Sequence, residues 1–374
     1  MSEEVAAKFL FTCCQVGAES ALKAEIARRH PRLRFAYSRP GFVTFKLPGQ
    51  SLPEDFDLGS VFARAWGLSL GRLSGDHAET LAQQTWQLAG DRDYRYLHVW
   101  QRDAAVPGDH GFEPGVTPLA DEVGRLIAEA RPAHGDEPSR KLPVNLRAHS
   151  GDLVLDCVLV EPNEWWIGTH RATTTATRVP GGVIPVEMPP EAVSRAYLKM
   201  EEALRWARLP MEEGDHVVEI GSAPGGSCQA LLARGLMVTG IDPSEMAPEV
   251  VAHPEFVHVK ARAADIKRRD FREVRWLTAD SNVAPKHTLD TVEAIVTHAD
   301  VHVRGLILTL KLLDWSLAEQ IPAYLERIRS WGFRYLRARQ LAHNRQEICV
   351  VALRRRSLRR KSLLAKRTRR KRTT

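Results

Sequence analysis

The first residues in this chain able to do chemistry are a glycine-rich turn and a carboxylate at a set distance from it. The stretch "VVEIGSAPGGSCQALLARG", residues 217–235, runs from a short apolar strand through the turn Gly221–Gly226 into a helix that closes on Gly235. A strand, a tight turn and a helix start make a ligand seat. Asp242 ends the next apolar segment, "LMVTGID", 21 residues after Gly221. A carboxylate there can accept hydrogen bonds from both ribose hydroxyls of a nucleoside cofactor, so turn and carboxylate together point to an adenosine-bearing ligand. A pyrophosphate needs unobstructed backbone N–H groups at the helix start, and Pro224 removes one of them. A ligand without phosphates fits better, which disfavours a nicotinamide dehydrogenase.

Ordered elements must hold this seat. After a linker-like "TRVPGGVIPVEMPPEA", the segment "AVSRAYLKMEEALRWARL" places Val193, Ala196, Tyr197, Met200, Ala203, Leu204 and Ala207 at amphipathic helix spacing. The strands "HVVEIG", "LMVTGID", "FVHVKA", "WLTADS", "GLILTLKL" and "EICVVALR" follow, with "LAEQIPAYLERIRSWG" as a helix between the last two. Such alternation implies an α/β fold with a doubly wound, mostly parallel sheet, whose ligands bind at the carboxyl ends of the strands. Upstream, "KFLFTCCQV", "AESALKAEIARR" and "GFVTFKL" read as strand, helix and strand. A second α/β region contains the strand "YRYLHVWQ", the helix "PLADEVGRLIAEARP" and the paired strands of "DLVLDCVLVEPNEWWIGTH".

The "APGG" turn resembles motif I of class I S-adenosylmethionine-dependent methyltransferases, in particular the FtsJ-type ribose 2′-O-methyltransferases. The stretches "VSRAYLKMEEA", "WWIGTHRATTTATRVPGG" and "RQLAHNRQEICVVALRR" look like the RlmM-type family of bacterial 23S ribosomal RNA ribose methyltransferases. The resemblance implies a ferredoxin-like domain over residues 1–60, a THUMP-like RNA-binding domain over 61–180, a Rossmann-like methyltransferase domain over 188–355 and a basic, disordered tail over 356–374. It further implies S-adenosylmethionine as cofactor, held by Gly221, Ala223, Pro224, Gly225, Gly226, Asp242, Asp265 and Asp280, and 2′-O-methylation of ribosomal RNA at a cytidine of the 23S molecule. The family's Lys-Asp-Lys-Glu tetrad matches, position by position, Lys199 in "YLKMEEA", Asp280 after "WLTA", Lys311 in "LILTLKL" and Glu347 in "HNRQEICVV". Two positions depart from the family: Ser227 stands where an aromatic is usual, and Glu219 where an Asp is usual.

The residue types suit the reaction. Methylating a ribose hydroxyl requires its oxygen aligned behind the reactive methyl and its proton removed as attack proceeds. A free lysine is a poor base, since neutralising it at pH 7 costs about 4.6 kcal/mol. Burial at a strand end, the cofactor's positive sulfur and a second lysine each disfavour the charged form, which makes Lys311 the expected base. Asp280 and Glu347 would orient Lys311 and the hydroxyl, and Lys199 would stabilise the developing alkoxide. Rival chemistries lack their signatures. No Asn/Asp-Pro-Pro-aromatic turn for base N-methylation follows Asp280, and no cysteine for carbon methylation neighbours Asp280 or Lys311 in sequence. The alternative is a non-catalytic RNA-binding ribosome assembly factor that keeps the methyltransferase fold.

Charge fits an RNA partner. Of the 53 Lys and Arg, twelve lie between Arg354 and Arg372 with no Asp or Glu among them, leaving 41 basic against 46 acidic residues elsewhere. A tail so uniformly basic suits a polyanion. Arg147, Trp165, Trp166, His170 and Arg171 mix cations and aromatics as an RNA surface does, although core packing is the more frequent use of such tryptophans. Five scattered cysteines without C-x-x-C spacing argue against a disulfide framework and a zinc site, so no metal is expected. No apolar run approaches membrane-spanning length and the N-terminus opens acidic, so a cytoplasmic monomer with no membrane partner is expected.

Overall fold

A computed structural model describes residues 7–49, 52–132 and 141–354, which divide into two compact units at Pro185 and Val186. The basic tail lies outside the described residues.

The first unit carries β1 (Phe9–Cys13), α1 (Glu19–Arg29), β2 (Arg34–Arg39), β3 (Phe42–Lys46), β4 (Ala65–Ser74), α2 (Ala78–Ala89), β5 (Tyr96–Gln101), α3 (Pro118–Glu129), β6 (Leu153–Glu161) and β7 (Glu164–Arg171). Its strands form one sheet in the order β2-β3-β1-β4-β7-β6-β5, parallel only between β5 and β6. β1 pairs with both β3 and β4, so the boundary expected near residue 60 falls between two strands of the same sheet. β6 is buried along nearly its whole length. Leu153, Leu155, Cys157 and Leu159 face the apolar sides of α2 and α3, while Val158 and Val160 pack with Phe11, Phe42 and Trp100. Burial on both faces explains why this strand reads as a continuous apolar run, which Asp156 alone interrupts.

The residues considered for an RNA surface are largely structural here. Trp165 is fully buried, and Trp166 stacks on Tyr37 while its Nε1 donates to Ser69 Oγ at 2.7 Å. His170 is buried against Asp156, and Arg171 donates to Glu54 at 2.9 Å. Packing wins over exposure because large rings on a strand facing a second layer bury more apolar area than any loop offers.

The second unit carries α4 (Ala196–Ala207), β8 (His216–Ile220), α5 (Gly226–Leu232), β9 (Met237–Ile241), α6 (Pro248–Val251), β10 (Phe256–Val259), β11 (Trp276–Ala279), α7 (Pro285–Val296), β12 (Gly305–Lys311), α8 (Ile321–Ser330), β13 (Phe333–Arg339) and β14 (Glu347–Arg354). The sheet order is β10-β9-β8-β11-β12-β14-β13, with β14 antiparallel to both neighbours and the pairs from β10 to β12 all parallel. This is the expected Rossmann-like, doubly wound sheet. Strand order reverses between β8 and β11, and that switch point opens a crevice at the carboxyl ends of β8, β9 and β11. The helix before the sheet starts at Ala196 rather than Ala192 and is buried more widely than one stripe, since Leu198, Glu202 and Trp206 are inside along with Met200, Ala203, Leu204 and Ala207.

One buried ion pair ties the irregular end of the first unit to its sheet. Arg64 donates to both oxygens of Asp103, at 2.7 and 2.5 Å, and through Nε to Gly181 O at 3.1 Å. Removing one member of a buried pair strands the other charge. Asp103→Ala should therefore lower stability by about 3–5 kcal/mol, seen as a lower urea midpoint, whereas Arg64→Met with Asp103→Leu should recover part of the loss.

Candidate active site

The seat is built on close approach of backbone. Gly221, the first residue after β8, has φ +78°, and a Cβ there would lie 2.6 Å from Ser281 Oγ and 2.9 Å from Asp280 O. Its lack of a side chain lets the ends of β8 and β11 meet. Gly226 opens α5, where a Cβ would come within 2.2 Å of Ser194 Oγ and 2.8 Å of Ser194 O. The lead-in to α4 thus rests directly on the turn, which brings Lys199 to the strand ends. Asp242 follows β9, accepting from the backbone N–H of Ala223 at 3.2 Å and of Ser244 at 2.8 Å.

These elements surround a cleft of about 470 Å³. Of the expected cofactor residues, Gly221, Ala223, Asp242 and Asp280 line it. Pro224, Gly225 and Gly226 shape the turn without being part of the lining, and Asp265 is exposed at the end of the short turn Ala263–Asp265, next to the lining residue Ala264. Sequence reading did not foresee Arg262, Asn282, His287 and Thr291 on the walls. Their only signal is position: Arg262 and Asn282 follow the ends of β10 and β11, and His287 and Thr291 lie about one turn apart on α7.

All four tetrad residues converge beside the cleft. Lys199 Nζ lies 2.8 Å from Asp280 Oδ2 and 3.1 Å from Glu347 Oε1, and Lys311 Nζ lies 2.8 Å from Asp280 Oδ1 and in contact with Glu347 Oε2. Two lysine amines and two carboxyl groups alternate around a closed ring. Each side chain arrives from a different place: Lys199 from α4, Asp280 from just past β11, and Lys311 and Glu347 from β12 and β14, where they are paired across the ladder. Burial disfavours the charged form of Lys199, but Asp280 and Glu347 outweigh it and hold the ammonium well above the ordinary lysine range. Burial likewise raises the Asp280 carboxyl, and the two lysines bring it below the usual carboxylate range.

Two residues that sequence reading missed hold this ring. Glu202, one turn after Lys199, is buried and accepts from the backbone N–H of Ala342 and of His343, each at 2.9 Å. Asn344 in the same turn accepts from Leu341 N at 2.9 Å and donates through Nδ2 to Glu347 Oε1 at 3.1 Å. α4 therefore supplies one ring member and anchors the loop that orients another. Cys349 also lies close, lining the packed interior with Lys199 and Asp280, a proximity not evident from sequence. Burial pushes its thiol well above the ordinary range, so no thiolate nucleophile is available there.

A further acid sits beneath the turn. Glu219 is fully buried on β8 and accepts from Ser227 Oγ at 2.9 Å and from Thr278 Oγ1. No lysine or arginine pairs with it among the described ion pairs, and burial pushes its carboxyl up to about 7.

The family model described as FtsJ-like methyltransferase matches residues 192–320, which include α4, the glycine turn, Asp280 and Lys311. Curated relatives named ribosomal RNA large subunit methyltransferase M match most of the chain, among them the following two. That of Halorhodospira halophila is 29% identical over 360 residues, covering 91% of this chain and 95% of its own. That of Marinobacter nauticus is 32% identical over 359 residues, covering 85% and 91% respectively.

The sign of the Glu219 shift sets a pH dependence. From the ordinary 4.5 to about 7 the folded chain holds a proton that the unfolded chain has released. The contribution of this group is complete below pH 4.5 and is lost as pH rises through 7. Going from pH 5 to pH 8, the wild type should lose about 2–3 kcal/mol more stability than Glu219→Gln, measured by chemical denaturation of both proteins at each pH.

Proposed function

The chain belongs to the ribosomal RNA large subunit methyltransferase M family, and from that premise we propose that it methylates a ribose 2′-hydroxyl of 23S ribosomal RNA, at a cytidine, with Lys311 taking the hydroxyl proton. It is an S-adenosylmethionine-dependent ribosomal RNA methyltransferase. The observation that carries the finer reading is the closed Lys199–Asp280–Lys311–Glu347 ring bordering the cleft.

The residues present fit the cofactor. The cleft has the volume of a small-molecule site, a carboxylate stands at the end of β9 where ribose hydroxyls are recognised, and the turn is interrupted by a proline as a phosphate-free ligand allows. Asp242 would hold the ribose, with Gly221, Ala223 and Asp280 along the remainder. When bound, S-adenosylmethionine supplies an electrophilic methyl group on a positively charged sulfur.

The ring divides the labour between its lysines. Lys199, held as an ammonium, uses two N–H bonds on Asp280 Oδ2 and Glu347 Oε1 and has a third to stabilise the oxygen as it becomes an alkoxide. Lys311 donates to Glu347 Oε2 and lies 2.8 Å from Asp280 Oδ1, so in its neutral form one N–H is committed to Glu347. Its lone pair is what a general base would turn to the substrate hydroxyl. This favours catalysis over the assembly-factor alternative, since a fold without turnover has no physical reason to bury two lysines and two carboxylates together.

Residues 61–180 are read as a THUMP-like RNA-binding region with residues 1–60 as a ferredoxin-like partner, acting with the basic tail as a monomer on ribosomal RNA in the cytoplasm. No helix among the described residues is long and apolar enough to cross a membrane. Lys311→Ala should keep S-adenosylmethionine binding while reducing methyl transfer about 10²–10⁴-fold. Transfer within tenfold of wild type would remove Lys311 as the base. Mass spectrometry of ribosomal RNA from cells lacking the protein should show one missing ribose methyl group, and its position tests the cytidine.

A further inference from the structure

Three adjacent strands of the first unit each place one ligand-type residue on the same buried patch. His98 on β5 is in direct register with Asp156 on β6, and His170 on β7 is paired with Val154, two residues away on the same face of β6. All three side chains are buried, and one ligand atom from each lies within 4.8 Å of the others. This patch is on the side of β6 opposite α2 and α3, under the chain around Leu146 and Thr177.

The hydrogen bonds decide which atoms are available. His98 Nε2 meets Leu146 O at 3.0 Å and His170 Nε2 meets Thr177 O at 2.6 Å. A backbone carbonyl can only accept, so each Nε2 carries a hydrogen and each Nδ1 is the ligating atom, the orientation that metal-binding histidines adopt. His98 Nδ1 and Asp156 Oδ1 meet no hydrogen-bond partner among the described residues, although both residues are fully buried. Two unpartnered acceptors buried in one patch are costly unless a positive charge offsets them. We propose that His98, Asp156 and His170 bind a divalent metal ion, with zinc the best match, that fastens the irregular segments around Leu146 and Thr177 to the sheet.

Zinc accepts two imidazoles and a carboxylate, and these three would leave its fourth tetrahedral position to a water molecule enclosed in the patch. His170 Nδ1 is 2.6 Å from Asp156 Oδ2, so ion entry displaces the proton shared there, and binding releases that proton to solvent. The cysteine spacing excludes a thiolate site and says nothing against this one.

The test uses the full chain, purified without metal-affinity resin or chelator from zinc-supplemented cells. Elemental analysis should find about one zinc per chain. Chelator-treated protein should lose about 5–10 °C in Tm and regain it with added zinc chloride. Asp156→Asn, which keeps the side-chain volume, should retain the far-ultraviolet circular dichroism spectrum and lose zinc at least tenfold, with His98→Gln as the second variant should the first fail to fold. A wild-type protein holding under about 0.1 metal per chain whose Tm does not respond to zinc overturns the proposal, as does undiminished zinc in a folded variant. The patch then holds a buried water instead.

Discussion

The closed circuit of Lys199, Asp280, Lys311 and Glu347 is the interaction on which the second unit depends. Any one of these charges, buried alone, would cost several kcal/mol. Alternating in a ring they cancel locally, and each carboxylate oxygen that faces a lysine is matched by one. The circuit closes only when α4, the end of β11, and the β12–β14 ladder are all in place. An active arrangement is therefore also a completed fold, because no partial assembly of these elements satisfies the charges. Glu202 and Asn344 extend this dependence outward by fixing the turn before β14 to α4 and to Glu347.

Asp280 joins ring and cleft. It lines the cofactor cleft and faces both lysines. The strand-order reversal between β8 and β11 produces that position, since only there do the ends of neighbouring strands diverge enough to admit a ligand. Gly221 completes the arrangement from the other side by allowing the backbone at Asp280 and Ser281 to press against it. Placement of the cofactor and of the proton-transfer group is thus a single geometric event rather than two.

The parts that were legible in the sequence are those whose physics is local. β8, β12 and β14 are covered on both faces and announce themselves as apolar runs, and the glycine turn is readable because backbone approach tolerates nothing larger. β13 and β2 escaped notice because arginines recur through "FRYLRAR" and "RFAYSR" and hide the alternation that edge strands keep on only one face. β4 was missed for a different reason: Gly67 and Gly71 interrupt it, and the Phe11 ring and Leu88 take up the space their side chains would fill. Glu202 and Asn344 gave no signal, since a buried acid that captures two backbone amides looks the same in sequence as a solvated one.

Glu219 and Ser227, the two positions where the sequence departs from the resemblance at the turn, are in direct contact. Ser227 Oγ donates to Glu219, a bond that a phenylalanine at that position would not supply. The longer acid and the small donor belong together. Their outcome contrasts with that of Asp280, which lies just past Thr278, the cross-strand partner of Glu219. Burial raises both acids, yet the two lysines that face Asp280 bring it below the usual carboxylate range, while Glu219 has only hydroxyl donors to offset its burial and is driven toward its protonated form. Burial acts on both carboxyls, and the presence or absence of facing lysines decides which of them carries charge; the one without lysines is the one kept out of the ring.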